Sequence, residues 1–200
     1  MRRGKTFIIC GPSGVGKGTV VARLLASDPK LYFSVSATTR PPRPGEVDGK
    51  HYHFLSREQF QRWIDEDAFL EHAEFVGNLY GTPKLYVDKA MDQGRDVILD
   101  IEIQGAEQVH RRRPEAIRIY VAPPSWAELE RRLIGRGTED MEKVRRRLER
   151  GKEEFAVARD FDYFVINDTV DRAVEELRAI LLAEHCRPDE RITQIGRAHV

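Results

Sequence analysis

The stretch Thr6-Phe7-Ile8-Ile9-Cys10-Gly11-Pro12-Ser13-Gly14-Val15-Gly16-Lys17-Gly18-Thr19 decides the fold of this chain. It reads as a buried strand, a glycine-rich turn and the start of a helix, which we predict over residues 17–26. Glycines let backbone N–H groups converge on an anion, and the helix N-terminus adds unpaired N–H groups and a positive dipole. Lys17 supplies a mobile positive charge for terminal phosphates. The stretch therefore predicts a phosphate-binding loop, and the alternative is a tight turn that binds nothing.

Gly18 departs from the usual form of such a loop. A hydroxyl that binds Mg²⁺ normally follows the lysine, whereas the first hydroxyl here belongs to Thr19. This argues against a motor or G-protein-like ATPase, in which that hydroxyl is a direct metal ligand. Gly18 therefore narrows the class of protein but does not exclude nucleotide binding.

The composition fits one compact core and excludes several partners. Of 200 residues 40% are hydrophobic, and 33 basic side chains balance 33 acidic ones, so no net charge attracts nucleic acid or a membrane surface. No apolar run approaches the roughly 20 residues of a membrane helix, and the N-terminus does not resemble a signal peptide. We therefore expect a cytoplasmic protein. Cys10 and Cys186 lack a paired spacing, which predicts a buried apolar side chain and an incidental thiol.

Short apolar runs alternate with helical patterns along the chain. The predicted strands are residues 7–10, 33–36, 96–101, 117–121 and 163–166. The clearest helical face repeats at Val170, Ala173, Val174, Leu177, Ile180 and Leu181. This alternation predicts an α/β fold in which helices cover a parallel sheet.

Three stretches depart from the simple alternation. Residues 38–86 combine a proline-rich turn, a short strand at 51–54 and a helix that starts at the capping box of residues 56–59, which predicts an inserted, partly antiparallel subdomain. Residues 125–159 contain two arginine-rich helices that meet near 135–137, which suggests a hinged cover over the phosphate site. Residues 195–200 break the helical pattern and match the translation of a common sequencing adapter, so we predict a non-native tail.

Several further motifs, in order, resemble the guanylate kinase family. The longest is Ser36-Ala37-Thr38-Thr39-Arg40-Pro41-Pro42-Arg43-Pro44-Gly45-Glu46-Val47-Asp48-Gly49-Lys50-His51-Tyr52, and others lie at residues 69–75, 80–82, 99–105, 135–137 and 166–168. The likeness covers about residues 6–184. It implies phosphoryl transfer from ATP to GMP, giving ADP and GDP, in purine nucleotide metabolism.

The resemblance also implies an architecture. It is a P-loop kinase core with a five-stranded parallel sheet (residues 4–36, 83–124 and 160–186), an inserted α+β GMP-binding subdomain (residues 37–82) and a helical lid (residues 125–159).

Site residues follow by resemblance, position by position. ATP would be bound by Gly11, Pro12, Ser13, Gly14, Val15, Gly16, Lys17, Gly18, Thr19, Asn167 and Asp168. GMP would be bound by Ser36, Arg40, Arg43, Glu46, Tyr52, Glu71, Tyr80, Thr82, Asp100 and Glu102. The catalytic groups would be Lys17, Arg40, Arg132, Arg136, Arg147 and Asp100, the lysine and arginines compensating the charge that spreads over the transferring group.

Residue chemistry supports these assignments. Arg40 and Arg43, on a proline-stiffened loop, offer planar forks suited to a dianionic phosphate, and alone they would read as an exposed basic turn. Guanine presents donors at N1 and its exocyclic amine, which a carboxylate at Glu71 would accept, beside the O6 acceptor. Adenine would turn a lone pair towards that carboxylate and be rejected. From spacing alone, Glu71 is equally an exposed strand residue.

Mg²⁺ is the implied cofactor, held mainly by the nucleotide and water, with Thr19 and Asp100 as the candidate groups of the protein. Glu102 stands where the family often has Asp, so its contact stays open. The partners are ATP and GMP, with dGMP left open, and the protein is a monomer or homodimer.

Three alternatives remain at this stage. The first is a protein-binding module of the same fold, the second a related kinase of a phosphorylated sugar, and the third a metal site at His51 and His53. The intact phosphate loop argues against the first and the segment around Glu71 against the second. Two histidines without further ligands are more typical of a strand surface.

Overall fold

The computed structural model describes residues 2–135 and 140–188. The strands are β1 (Thr6–Cys10), β2 (Tyr32–Phe33), β3 (Ala37–Thr38), β4 (His53–Phe54), β5 (Phe69–Phe75), β6 (Asn78–Pro83), β7 (Val97–Asp100), β8 (Ile117–Ala122) and β9 (Tyr163–Ile166). The α-helices are α1 (Lys17–Ser27), α2 (Arg57–Asp65), α3 (Lys84–Asp92), α4 (Ile103–Arg112), α5 (Trp126–Ile134), α6 (Met141–Ala156) and α7 (Val170–Glu184). The predicted tail and Arg136 lie outside the described residues.

The strands form two sheets. The five-stranded sheet has the order β2-β7-β1-β8-β9, with β2 parallel to β7 and β8 parallel to β9. Every residue of β1 is buried, as its unbroken apolar sequence requires in a sheet covered on both faces. The four-stranded sheet has the order β4-β3-β6-β5, and β6 runs antiparallel to both of its neighbours. The predicted α/β class with a five-stranded parallel sheet is confirmed.

Three predicted strands were too long, and the one at residues 96–101 exceeds β7 by a single residue at each end. The strand predicted at residues 33–36 is β2, which ends at Phe33, because the chain then leaves this sheet and the Ser36 carbonyl accepts a hydrogen bond from His53 N (2.9 Å) at β4. The strand predicted at residues 51–54 is β4 and begins only at His53, because His51 lies in a turn where its Nδ1 accepts from Val47 N (2.9 Å).

The chain divides into two compact units, one of Arg3–Ile8 with Lys30–Ile117, the other of Ile9–Pro29 with the described residues from Arg118 onward. In the first, the four-stranded sheet and α2 enclose a buried cluster of Ala37, Phe60, Phe69 and Leu79. In the second, α5 and α6 pack through a buried cluster of Leu129, Leu133 and Val144. Each unit therefore has an apolar core of its own.

A search for membrane-crossing segments in residues 2–135 and 140–188 finds no helix of sufficient length and apolar character.

The predicted capping box of α2 is confirmed. Ser56 Oγ accepts a hydrogen bond from Gln59 N (3.1 Å), and Gln59 Oε1 accepts one from Ser56 N (2.9 Å). We expect Ser56→Ala to lower the free energy of unfolding by about 1 kcal/mol, because the Gln59 N–H at the helix start loses its side-chain acceptor. Urea unfolding measures the loss. The control is Gln61→Ala on the exposed side of α2, which we expect to stay within about 0.5 kcal/mol of the parent; equal losses in both variants would contradict the role of the box.

Candidate active site

The phosphate loop, residues 11–19, has the backbone that its sequence predicts. Gly14 and Gly16 have φ angles of 90° and 95°, in the left-handed region that favours glycine. A Cβ at Gly16 would lie 2.7 Å from Asn167 Nδ2, so a side chain is also excluded by contact. Gly16 is the N-cap of α1, and no side chain caps this helix. The start of α1 therefore has no side-chain competitor for an anion, although Thr19 N already donates to Gly16 O (3.0 Å).

The predicted side chains of the loop differ in accessibility. Lys17, the first residue of α1, is half-buried, whereas Ser13, Gly18 and Thr19 are exposed. Pro12 and Val15 are buried and fix the loop to its surroundings. The accessible part of the loop is thus the part that carries the lysine and the hydroxyls.

Asn167 is bound to this loop. The residue follows β9 and is 3% exposed, and its Nδ2 donates to Val15 O (2.8 Å). Its Oδ1 is buried and accepts no hydrogen bond from the described residues. An unsatisfied buried acceptor costs free energy, so this oxygen is suited to a donor on a ligand, such as an exocyclic amine. Asp168 is exposed and engaged differently, since it accepts from Thr169 N and Arg172 at the start of α7, and the Thr169 N–H lowers the pKa of Asp168.

Arg132 lies directly on the phosphate loop. Its Nη1 donates to Val15 O (2.9 Å) and its Nη2 to Asn167 O (3.0 Å), while its Nε pairs with Glu128 Oε1 (2.7 Å). These contacts use three of the five guanidinium N–H groups, so two stay available for a phosphate. Arg132 and Arg131 hold the pKa of Glu128 below its ordinary value, which keeps the carboxylate ionised.

Of the other two arginines predicted to lie in the lid, the structure describes one. Arg147 is half-buried on α6, and Arg136 lies outside the described residues. Helices α5 and α6 nevertheless contact the loop, because a Cβ at Gly14 would lie 2.6 Å from Leu133 and one at Gly151 would lie 3.1 Å from Pro12. In this unit α5 and α6 therefore pack against the phosphate loop, and their role as a hinged cover stays a prediction.

A second group of predicted residues surrounds Arg40 in the other unit. Arg40 Nη2 is 2.8 Å from Glu46 Oε1 and 2.9 Å from its Oε2, and Arg43 N donates to Glu46 Oε2 (2.7 Å). The guanidinium stands 5.4 Å from the centroid of the Tyr52 ring, and the Tyr52 and Tyr80 rings are 6.1 Å apart. Arg40 lowers the pKa of Glu46. A guanidinium and two phenols are thus brought together, with a carboxylate orienting the guanidinium.

Glu71 lies on β5 opposite Thr82 of β6, and both side chains are buried. Thr82 Oγ1 donates to Glu71 Oε1 (2.6 Å). The ladder is irregular between Phe69 and Glu71, a bulge of the kind that re-aims a side chain. Burial raises the pKa of Glu71, and the hydrogen bonds from Thr82 oppose that shift. The alternative that Glu71 is an exposed strand residue is therefore wrong.

The remaining predicted residues lie at strand ends. Asp100 ends β7 and is half-buried, and Glu102 is exposed at the N-cap position of α4 without a capping hydrogen bond. Ser36, directly before β3, is half-buried. The histidine alternative loses support, because His51 lies in a turn while the His53 ring stacks on Tyr86 (4.5 Å). Among the described residues there is no cluster of three or more His, Cys, Asp or Glu side chains that would hold a metal.

Sequence reasoning missed Glu128. Its (i, i+4) spacing to Arg132 is a recognisable helix pair, but such pairs are common on solvated faces and do not predict which arginine contacts a distant loop. The contacts of Arg132 with Val15 and Asn167 span 117 and 35 residues of sequence, which no local pattern encodes.

Known proteins resemble this chain over nearly its whole length. The family model described as guanylate kinase matches residues 3–184. A protein named guanylate kinase from Desulfitobacterium hafniense is 52% identical over 184 residues, which cover 92% of each chain. One of the same name from Thermus thermophilus is 52% identical over 185 residues, covering 92% of this chain and 84% of the relative.

A solved structure is also similar. The guanylate kinase from Anaplasma phagocytophilum has a TM-score of 0.74 and 31% identity, and the match covers 94% of this chain and 89% of that one. The range matched by the family model, residues 3–184, includes the phosphate loop, the four-stranded sheet, α5 and α6. The chain belongs to the guanylate kinase family, whose members phosphorylate GMP to GDP with ATP.

Proposed function

We propose that this protein transfers the γ-phosphoryl group of ATP to GMP through the residues described above. The observation that carries the proposal is the buried pair of Glu71 and Thr82 in a chain that also has an intact phosphate loop. A loop alone indicates a nucleotide, whereas a buried carboxylate beside a hydroxyl is suited to a guanine edge.

The donor nucleotide is assigned to the phosphate loop. The uncapped start of α1 and the loop N–H groups suit the β- and γ-phosphates, and Lys17 suits the transferring group. Arg132 supports this assignment because it lies on the loop with two N–H groups to spare. We assign Arg147 and Arg136 the same compensation of charge, and Asn167 and Asp168 the border of the adenine.

The acceptor phosphate is assigned to Arg40, Arg43, Tyr52 and Tyr80. A planar guanidinium and phenolic hydroxyls bind a dianion in a defined orientation. A carboxylate repels a dianion, so Glu46 contributes by orienting Arg40 rather than by binding the phosphate itself. Phosphoryl transfer needs this orientation, because in-line alignment and charge compensation supply most of its acceleration.

Guanine is assigned to Glu71, with Thr82 and Ser36 as the hydroxyl groups. The ionised carboxylate accepts from guanine N1–H and the exocyclic amine. Among the described residues two carboxylates are buried, those of Glu71 and Glu184, and they differ in whether a cationic side chain pairs with them. Glu184 pairs with Arg187 (2.6 Å), whereas the hydrogen bonds of Glu71 come from the neutral Thr82. A buried carboxylate without a cationic partner among these residues is a group that a ligand completes.

Mg²⁺ belongs with the donor nucleotide in this proposal. The residues fit a metal held mainly by phosphate oxygens and water, because Gly18 offers no hydroxyl and no cluster of metal ligands exists in the described chain. Bound Mg²⁺ compensates charge on the β- and γ-phosphates. Asp100 would hold the metal's water and orient acceptor groups, and Thr19 offers the nearest hydroxyl in sequence. Glu102 is assigned to GMP without a defined contact. A cytoplasmic location, a monomeric or homodimeric state and the use of dGMP stay predictions.

A coupled assay of ADP release with GMP, AMP, CMP and UMP tests the proposed activity. We expect turnover with GMP and little with the other three. A protein-binding module of this fold would show no turnover with any of them.

Replacing Lys17 tests catalysis separately from binding. We expect Lys17→Met to keep the fold and to lower kcat about 100-fold or more, since charge aimed at the transferring group is removed. Lys89→Met, on the exposed side of α3, is the matched control and should turn over at the parent rate. Near-parental kcat for Lys17→Met would refute the role of this lysine.

Replacing Glu71 tests the guanine assignment. A hydrogen bond to a buried charge contributes about 1.5 to 3 kcal/mol, so Glu71→Ala should lose about 10- to 150-fold in kcat/KM for GMP. KM for ATP should barely change, and discrimination against AMP should shrink. Steady-state kinetics with both acceptors measure these effects, and equal use of GMP by parent and variant would remove Glu71 from the site.

The pH dependence of stability tests the charge of Glu71. Because burial raises its pKa above the ordinary 4.5, the native state keeps the proton to higher pH than the unfolded state. The resulting stabilisation is complete below pH 4.5 and is lost as the pH rises through the raised pKa. Glu71→Gln does not titrate, so urea unfolding should show the variant gaining stability relative to the parent between acid and neutral pH. A difference that is independent of pH would contradict this.

A further inference from the structure

Strand β5, which carries Glu71, is an edge strand. It pairs with β6 on one side and ends the four-stranded sheet on the other. The open side is occupied at His72 by the side chain of Gln108 from α4. Gln108 Oε1 accepts from His72 N (3.2 Å), and Gln108 Nε2 donates to His72 O (3.1 Å). A side-chain amide therefore takes the place of a neighbouring strand at the residue directly after Glu71.

The same helix contacts Glu71 itself. Gly105 lies three residues before Gln108 and hence on the same side of α4. A Cβ at Gly105 would lie 3.0 Å from Glu71 Oε2 and 3.3 Å from its Cγ and Cδ. The missing side chain lets the helix approach the carboxylate within van der Waals distance.

There is a physical reason why β5 needs the contacts of α4 beside Glu71. The bulge before Glu71 interrupts the regular pairing of β5 with β6, so the ladder alone defines the orientation of Glu71 weakly. A small shift of an edge strand changes the direction in which its side chains point. The two hydrogen bonds of Gln108 fix the backbone one residue after Glu71, and Gly105 closes the space beside its carboxylate.

We propose that Gln108 and Gly105 are positioning residues that fix the Glu71 carboxylate for guanine, and this rests on the proposed function. Helix α4 begins at Ile103, three residues after Asp100, which is itself a proposed acceptor-site residue. The helix that starts beside Asp100 therefore also orients Glu71. Neither residue needs to contact the nucleotide.

The experiment compares GMP with IMP, which keeps N1–H and O6 but lacks the exocyclic amine. Gln108→Met preserves the length of the side chain and removes both hydrogen bonds. We expect KM for GMP to rise on the order of tenfold, the preference for GMP over IMP to shrink, and KM for ATP to stay unchanged. Gln104→Met, an exposed position on α4, is the matched control and should behave as the parent.

A double-mutant cycle separates positioning from general damage. In the Glu71→Ala background, Gln108→Met should leave the ratio of GMP to IMP use unchanged, because the carboxylate that it positions is gone. A further fall of that ratio in this background would overturn the proposal, as would an unchanged ratio in Gln108→Met alone while GMP turnover persists. If parent and Glu71→Ala use GMP equally, the guanine assignment itself fails and the positioning role falls with it.

Gly105→Ala provides a second variant should Gln108→Met fold poorly. The Cβ of this alanine displaces the Glu71 carboxylate. Alanine has a higher helix propensity than glycine, so we expect α4 to form, and urea unfolding checks that the variant is folded. We expect the same loss of preference for GMP in a folded protein. A folded Gly105→Ala enzyme with the parental ratio would contradict the role of Gly105.

Discussion

The unit that contains the four-stranded sheet is organised around a carboxylate, Glu71, that is buried without a cationic partner among the described residues. Moving the Glu71 carboxylate out of water costs free energy, which the hydrogen bonds from Thr82 offset only in part, since the pKa of Glu71 remains raised. The surrounding structure holds the side chain in place through register with Thr82, a bulge and the approach of α4. A flexible carboxylate would instead turn towards water, and guanine would then meet no fixed acceptor. Specificity in this proposal therefore depends on rigidity as much as on charge.

The phosphate loop, in the other unit, has a different requirement, because in the proposed function its backbone N–H groups must face a bound phosphate. Contacts with Asn167, Arg132 and α6 fix the loop on one side. Val15 O accepts from both Asn167 and Arg132, and Pro12 meets α6 at Gly151. None of these three contacts occupies a loop N–H group, so they hold the loop in place without competing with an anion for its donors.

The sequence predicts what depends on local pattern. The phosphate loop, the capping box at Ser56 and all five strands of the parallel sheet follow from glycine spacing, turn chemistry and apolar runs. Element ends were less predictable, as at Ser36, where pairing with His53 draws the chain into the other sheet. The burial of Glu71 could not be predicted from spacing, because alternation assigns a face of a strand but not what covers it. The contact of Gln108 with His72 joins residues 36 apart, and only the fold brings these two together.

Arginine and carboxylate pairs recur in both units, at Arg40 with Glu46 and at Arg132 with Glu128. Each pair orders a long side chain on folding, so less conformational entropy is lost when a phosphate binds. Under the proposed assignments the carboxylate would also compete with a bound phosphate for the guanidinium and so limit the affinity for nucleotide. A kinase that must release two nucleotides in every cycle gains from this balance, since product release often limits turnover. Arginines that a carboxylate both orients and partly occupies would therefore favour correct alignment of the phosphate over tight binding of the nucleotide.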